Sequence, residues 1–140
     1  DEASWARRVE VWRDGRAVVG ASDAGAHLDM IDSFSFSTTL LARAVRERDL
    51  LPIEEAVHYL TDSPARLYGL HDRGRLAVGA HADVVVFDPL RVRDVATYEQ
   101  PQARSEGIEQ VYVNGQLTFS ASSAEGSLPR SGRVLLRQPG

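Results

Sequence analysis

The sequence predicts an α/β segment followed by a β-rich segment, and three observations carry that prediction. Ala17–Ala21 is a short, valine-rich apolar run, which is typical of a strand covered on both faces. Apolar residues recur at helical spacing between this run and Gly69. Asn114-Gly115 stands between two runs rich in β-formers, the strongest short-range signal for a hairpin.

Four helices are expected before Gly69. The first covers Ser4–Trp12, with Ser4 as its N-cap, and the second covers Ser37–Arg48. The third covers Ile53–Leu60, with Pro52 at its first turn. Ser63-Pro64 opens a short fourth helix, which Gly69 ends because glycine is the usual residue just past a helix.

The second half is expected to contain strands, with one long loop. The predicted strands are Arg75–Val78, Ala82–Phe87, Ile108–Val113, Gln116–Ser120 and Arg133–Arg137. The segment Asp88–Glu106 carries Pro89, Pro101 and many charges, which predicts a loop.

Composition excludes several classes of function. The 140 residues carry a net charge of −4, so there is no basic face of the kind that binds nucleic acid. There is no cysteine, hence no disulfide framework and no thiolate ligand or nucleophile. No apolar run approaches the length of a membrane span, and we expect no signal peptide. We expect a cytoplasmic protein without nucleic-acid or membrane partners.

The predicted strand at Ala17–Ala21 runs into the stretch Ser22-Asp23-Ala24-Gly25-Ala26-His27, which ends a buried element on a carboxylate. Burying a carboxylate is costly unless a donor or a cation receives it. Two interpretations of Asp23 remain open on these residues alone: a carboxylate that caps the following turn, or one that faces a metal or a reacting proton. His27 lies close enough along the chain to face the same pocket, or else bonds to loop backbone.

A fixed order of short motifs follows. It consists of Ser63-Pro64-Ala65-Arg66-Leu67-Tyr68-Gly69-Leu70, then Arg73-Gly74-Arg75-Leu76, Gly79, Ala82-Asp83-Val84-Val85-Val86-Phe87-Asp88 and Val111-Tyr112-Val113-Asn114-Gly115. Together with GASDAGAH upstream, this order resembles the C-terminal end of an amidohydrolase-superfamily enzyme, and within that superfamily the N-acyl-D-amino-acid deacylase (D-aminoacylase) branch. The resemblance covers residues 1–120, and its specificity lies in the combination rather than in any single motif.

The resemblance implies an incomplete fold. Residues 1–72 would be the C-terminal end of a (β/α)8 barrel, with Ala17–Ala21 as its last strand. Residues 73–140 would be the C-terminal part of a small β-sandwich with a flexible tail. Because a complete barrel takes roughly 200 residues or more, we expect the chain to be the C-terminal portion of a longer enzyme.

The resemblance also assigns roles. Asp23 would bind the catalytic metal and shuttle protons as the acid at the end of the last barrel strand. His27 is a candidate for substrate binding on its chemistry alone, since a protonated imidazole can bind a carboxylate. Asp29 and Asp32 are expected to satisfy loop backbone groups, and Asp83 is expected to be structural.

The implied cofactor is zinc, and the implied substrate is a small N-acyl amino acid or a related amide. The sequence has no HxH motif, cysteine or lysine to complete a metal site, so we expect the chain alone to bind no zinc tightly and to be inactive. Its expected partners are an N-terminal portion of the enzyme or a second copy. The alternatives are a non-catalytic β-sandwich assembly module and an amidohydrolase of the dihydroorotase or hydantoinase type.

Overall fold

The computed structural model describes residues 1–20, 35–124 and 126–136, which divide between two compact units. The first unit comprises Asp1–Leu60 and Pro89–Gly107, and the second comprises Thr61–Asp88 and Ile108–Gly140. The strands of a three-stranded antiparallel sheet all follow the helices in the chain, so the predicted order of helices and then hairpins is confirmed. The predicted division between residues 72 and 73 stays a prediction.

Helix α1 covers Glu2–Arg13. Its N-cap is Asp1, whose carboxylate accepts from the Ser4 main-chain N–H at 2.8 Å, so the prediction of Ser4 as the cap was wrong. An acid in this position satisfies one of the free amides and also faces the positive end of the helix dipole. No residue of α1 is buried. Trp5 instead packs edge to face with Trp12, at 6.4 Å between centroids, and lies under the Arg48 guanidinium.

The second predicted helix exists but changes its hydrogen bonding part of the way along. Helix α2 covers Phe36–Thr39 and continues as a π-helix over Leu40–Arg46. The spacing of apolar residues does not distinguish the two forms over so few residues, because a π turn adds only one residue to each α turn. The segment ends at a turn in which Asp49 has a φ of 50°.

Helix α3 covers Ile53–Leu60, as predicted, and follows Pro52, whose carbonyl accepts from the Glu55 and Ala56 amides. The π-helix supplies most of the core of the first unit. The buried apolar residues of this unit are Leu40, Leu41, Ala42, Ala44, Leu51, Ala56 and Val92.

Val92 belongs to the long segment between strands, and it connects that segment to the helical core. Arg46 Nη1 donates to the Val92 carbonyl at 2.5 Å and to the Pro89 carbonyl at 3.3 Å. Gly107 passes directly beside Val92 with a φ of 79°. The predicted loop over Asp88–Glu106 is confirmed, apart from a single bridge between Arg93 and Glu106.

Helix α4 covers Asp62–Leu67 and ends before Gly69, which has a φ of 69°. The helix therefore begins one residue before Ser63, where it was predicted to open, and it ends before Gly69, as predicted. A left-handed residue past the last turn is where glycine costs least, since it has no Cβ to clash.

The sheet has the order β1-β2-β3, in which β1 is Val84–Phe87, β2 is Ile108–Val113 and β3 is Gln116–Ser120. Asn114 and Gly115 have φ values of 51° and 79° and join β2 to β3 where Val113 pairs with Gln116. Positive φ at both central residues fits a type I′ turn, so the predicted hairpin is confirmed. No residue of the three strands is fully buried within the chain.

Three predicted strands are absent from the described residues. Residues 75–78 form turns and extended chain without a ladder, and residues 133–136 are likewise unpaired, while Arg137 lies outside the described residues. Residues 17–20 form no strand either, and Ala21 lies outside the described residues. A strand requires a hydrogen-bonded neighbour, and β-propensity alone does not provide one.

The described segments contain no helix that is long and apolar enough to cross a membrane.

We predict that Gly107→Ala destabilises the protein by about 3 kcal/mol or more, because strain at positive φ adds to a backbone clash. The new Cβ would lie within 2.6 Å of three backbone atoms of Arg91 and Val92. Gly79→Ala is the control, since Gly79 also has a positive φ, of 89°, but has nothing within 4 Å of the added atom. It should cost about 1–2 kcal/mol. Urea denaturation that gives equal losses for both variants would contradict the packing described at Gly107.

A second prediction concerns Glu55 of α3, which receives Arg13 in a bidentate ion pair. The two N···O distances are 2.7 and 2.9 Å, and the Tyr59 hydroxyl donates to the same carboxylate at 2.7 Å. The Arg13 hydrogen bonds, and then that of Tyr59, lower the pKa of Glu55 from 4.5 to about 2.

A carboxyl group whose pKa is lowered by folding stabilises the fold above its unfolded pKa, and this stabilisation is lost as the pH falls towards the folded pKa. The contribution of Glu55 should therefore be complete above about pH 5 and disappear towards about pH 2. Glu55→Gln should lower Tm by a few degrees at neutral pH, and the gap to the unmodified protein should narrow steadily in acid. A gap that is independent of pH would show that the ion pair does not carry the effect.

Candidate functional site

The predicted catalytic and metal-binding residue, Asp23, lies within residues 21–34, outside the described residues. The predicted substrate-binding residue, His27, lies there too, as do Asp29 and Asp32. The structure describes the chain on either side of this segment, which is residues 17–20 before it and the chain from Ser35 onwards after it.

The chain before this segment begins at a tight turn after α1. Asp14 accepts from the Arg16 main-chain N–H at 3.0 Å and from the Arg16 guanidinium at 2.7 Å. These hydrogen bonds with Arg16 lower the pKa of the Asp14 carboxyl group. The Ala17 amide also donates to the Asp14 carbonyl, at 2.9 Å. Arg16 and Asp14 therefore fix the direction in which the chain leaves α1, and Gly20 follows Arg16 by four residues.

After this segment, the start of α2 is held by two hydroxyl groups, those of the buried Thr38 and of the half-buried Ser105. Thr38 is 6% exposed, and its hydroxyl oxygen lies 3.0 Å from both the Ser35 carbonyl and the Ser105 hydroxyl. Ser105 belongs to the long segment that Arg46 also holds. A buried hydroxyl with both partners in place fixes the start of α2 more tightly than helix propensity alone would.

One polar cluster of the second unit is formed by the motif residues themselves. The Arg73 guanidinium forms an ion pair with Asp83 and donates to the Asn114 side-chain oxygen at 2.8 Å. Asp83 in turn accepts from the Asn114 main-chain N–H at 2.8 Å. The Arg73 side chain is only 10% exposed. Asp83 therefore has the structural role predicted for it, and the separated motifs Arg73-Gly74, Ala82-Asp83 and Asn114-Gly115 meet in one network.

The described histidines are not gathered into a site. His81 lies 3.4 Å from the Asp72 carboxylate, and His58 packs beside Tyr59 with its ring centroid 6.0 Å away. Within residues 1–20, 35–124 and 126–136, no three histidine, aspartate or glutamate side chains form a group that could hold a metal ion.

One cavity of about 320 Å³ opens at the end of α4. Its lining consists of Leu67, Tyr68, Leu70 and Leu135. These side chains offer no carboxylate, imidazole or amine, and the Tyr68 phenol is the one group in the lining that could exchange a proton.

Comparison with known proteins assigns a family to this arrangement. The sequence profile of the amidohydrolase family matches residues 4–119. An N-acyl-D-glutamate deacylase of Alcaligenes xylosoxydans xylosoxydans is 49% identical over 116 residues, which are 83% of this chain and 22% of that protein.

Two solved structures are similar in both sequence and fold. An N-acyl-D-glutamate deacylase of Bordetella bronchiseptica, in complex with zinc and a phosphonate mimic of the tetrahedral intermediate, is 44% identical with a TM-score of 0.63. That match covers 76% of this chain and 21% of the other. A D-aminoacylase variant with copper chloride is 42% identical with a TM-score of 0.66, over 72% of this chain and 21% of the other. The chain thus spans about a fifth of the length of these relatives.

The motif network provides a prediction about stability. Asp83→Asn keeps an oxygen that can accept from the Asn114 amide, but it removes the charge that pairs most closely with the nearly buried Arg73. The Asp72 carboxylate lies further from the same guanidinium, at 3.9 Å. The free energy of unfolding of the second unit should fall by about 2 kcal/mol, which is within the range for a hydrogen bond to a charged group. Hydrogen exchange at the amides of β2 and β3 measures this directly.

Asp14→Asn is the matched control for that experiment. It also removes a carboxylate from an arginine, but the Arg16 side chain of that pair is 90% exposed. Exposed pairs contribute little, so its effect on β2 and β3 should be undetectable. If Asp83→Asn left the exchange rates of β2 and β3 unchanged, Arg73 would not depend on Asp83.

Proposed function

This chain belongs to the amidohydrolase family, and we propose that it is the C-terminal portion of a metal-dependent hydrolase that cleaves the amide C–N bond of N-acyl-D-amino acids. The observation that carries the proposal is the 49% identity with an N-acyl-D-glutamate deacylase across 83% of the chain. The zinc-bound relative with 44% identity supports the same substrate class.

Zinc is the proposed cofactor of the complete enzyme. Asp23 offers a carboxylate, which is a zinc-ligand type. A catalytic zinc commonly has three protein ligands, so Asp23 fits as one ligand of such a site, with the others coming from elsewhere in the enzyme. When bound, zinc lowers the pKa of its water to about 7 and polarises the acyl carbonyl.

Asp23 is proposed to perform the proton transfers. As a general base it takes a proton from the attacking water, and as a general acid it delivers that proton to the leaving nitrogen. Without the second transfer the amine would have to leave as an anion, so the same carboxylate lowers the barrier to bond formation and to bond cleavage. His27 is proposed to bind the substrate carboxylate in its protonated form and so to orient the amide.

The proposed architecture follows from the same family. Residues 1–72 would close a (β/α)8 barrel, in which residues 17–21 pair with strands that the rest of the enzyme supplies. Residues 73–140 would form part of a β-sandwich, which gives the half-exposed sheet a second layer. A parallel strand needs neighbours, and the unpaired state of residues 17–20 in this chain is compatible with that role. The cytoplasmic location stays a prediction.

The test is Asp23→Asn in the complete enzyme. This change preserves the shape of the side chain but removes its ability to take a proton. Turnover of an N-acyl-D-amino acid should fall by about 100- to 10,000-fold. Bound zinc is measured in the same sample, because a neutral amide is also a weaker ligand.

Two companion variants make the result specific. Asp29→Asn makes the same chemical change six residues further along and should leave turnover close to normal. His27→Gln should raise KM more than it lowers kcat, if His27 only orients the substrate. An Asp23→Asn enzyme that keeps its zinc and its turnover would eliminate Asp23 as the general base.

A further inference from the structure

The hairpin turn of the second unit contains a reactive dipeptide. Asn114 is the sole asparagine among the 140 residues, and glycine follows it. In an unfolded chain this pair is prone to lose ammonia, because glycine has no side chain to keep its main-chain nitrogen away from the asparagine Cγ. The question is therefore what the fold does to this reaction.

Both main-chain N–H groups of the turn dipeptide donate hydrogen bonds. Gly115 N–H donates to the Ala82 carbonyl at 2.9 Å, and Asn114 N–H donates to the Asp83 carboxylate at 2.8 Å. The Gly115 nitrogen is the nucleophile for ring closure and must give up its proton to attack. Its hydrogen bond to the Ala82 carbonyl opposes that loss.

The side chain of Asn114 is held on both of its polar atoms. Its Oδ1 accepts from Arg73 Nη2 at 2.8 Å, and its Nδ2 donates to the Ser131 carbonyl at 2.7 Å. Rotation of Cγ towards the Gly115 nitrogen would break both hydrogen bonds. The Arg73 contact lies in a largely buried position, where a lost hydrogen bond to a charge is costly.

We propose that Asn114 is a latent deamidation site, and that its hydrogen bonds with Arg73, Asp83 and Ser131, together with the bond from Gly115 to Ala82, hold it closed. When the network opens, a bond forms between Gly115 N and Asn114 Cγ, the Cγ–Nδ2 bond breaks, and the Gly115 proton leaves with the amide as ammonia. Water then hydrolyses one of the two imide C–N bonds of the resulting succinimide. Cleavage of the bond from Cγ to the Gly115 nitrogen gives an aspartyl residue, and cleavage of the bond from the Asn114 carbonyl carbon to that nitrogen gives an isoaspartyl residue.

The network contains one opposing effect, which decides how the site must be tested. Arg73 polarises the Cγ carbonyl, and in a free side chain this would favour attack at Cγ. In the closed turn the nucleophile is engaged with Ala82, so orientation outweighs polarisation. A variant that removes Arg73 would mix the two effects, whereas a change at Asp83 loosens the network and leaves Arg73 in place.

The product would alter the same contacts. An aspartyl residue at this position can still accept from Arg73, but it cannot donate to the Ser131 carbonyl. It also brings a second carboxylate next to Asp83. An isoaspartyl residue would further add a methylene to the main chain of a two-residue turn, which is incompatible with the register of Val113 and Gln116. Deamidation would therefore release the segment around Ser131 and weaken the hairpin.

The experiment follows deamidation of the complete protein in mildly alkaline buffer, by peptide mass mapping across residues 108–120. A synthetic peptide covering Tyr112–Leu117 gives the rate without the fold. The folded protein should react at least about tenfold more slowly than the peptide, which corresponds to the loss of one charged hydrogen bond on opening. Equal rates for the protein and the peptide would overturn the proposal.

Asp83→Asn should accelerate the reaction at Asn114 about tenfold. Asp14→Ala, which removes an exposed carboxylate without creating a second Asn-Gly pair at Gly15, should leave the rate unchanged. A series of urea concentrations below the unfolding transition tests the unmodified protein without any substitution. The rate should rise in parallel with hydrogen exchange at the Gly115 amide, because both report the same opening. A deamidation rate that is independent of urea concentration would contradict the proposal that the hydrogen-bond network controls the reaction. So would an Asp83→Asn variant that deamidates at the rate of the unmodified protein.

Discussion

The second unit of the chain depends on one nearly buried guanidinium group. Arg73 connects the turn after α4, the start of β1 and the hairpin between β2 and β3, through Asp83 and Asn114. The sheet has no fully buried side chain, so apolar packing contributes less to the stability of the sheet than to that of the first unit. A polar network that satisfies all its members can specify a unique arrangement, and a partly satisfied one is costly. This explains why motifs far apart in the sequence act as a single structural element.

Local signals predicted the elements that need no distant partner. Ile53–Leu60 and the turn at Asn114-Gly115 were predicted to the residue, because capping and turn chemistry act within a few positions. The runs at Arg75–Val78 and Arg133–Arg137 have β-propensity too, but propensity does not specify which strand pairs with which. Residues 17–20 form no strand for the same reason, since no strand of the described chain pairs with them. The ladder, and not the residue type, makes the strand.

Sequence reasoning reached the candidate site by a different route. Asp23 and His27 were selected by chemistry and by resemblance to a family, and the profile of that family matches residues 4–119. Neither residue belongs to the described chain, so their roles stay predictions. The motif network has its own sequence signal, because Arg73-Gly74, Ala82-Asp83 and Asn114-Gly115 supply a cation, a carboxylate and an amide in a fixed order. Three such pairs in fixed order could have predicted that their side chains meet.

The central claim is that the complete protein hydrolyses N-acyl-D-amino acids with the help of a metal. The most direct measurement is the release of free amino groups from N-acetyl-D-glutamate and from its L enantiomer, by the complete protein with and without zinc. The account predicts hydrolysis of the D compound that disappears when zinc is chelated and returns when zinc is added back, with little hydrolysis of the L compound. A folded, zinc-loaded protein that hydrolyses neither enantiomer, nor any other N-acyl-D-amino acid, would contradict it.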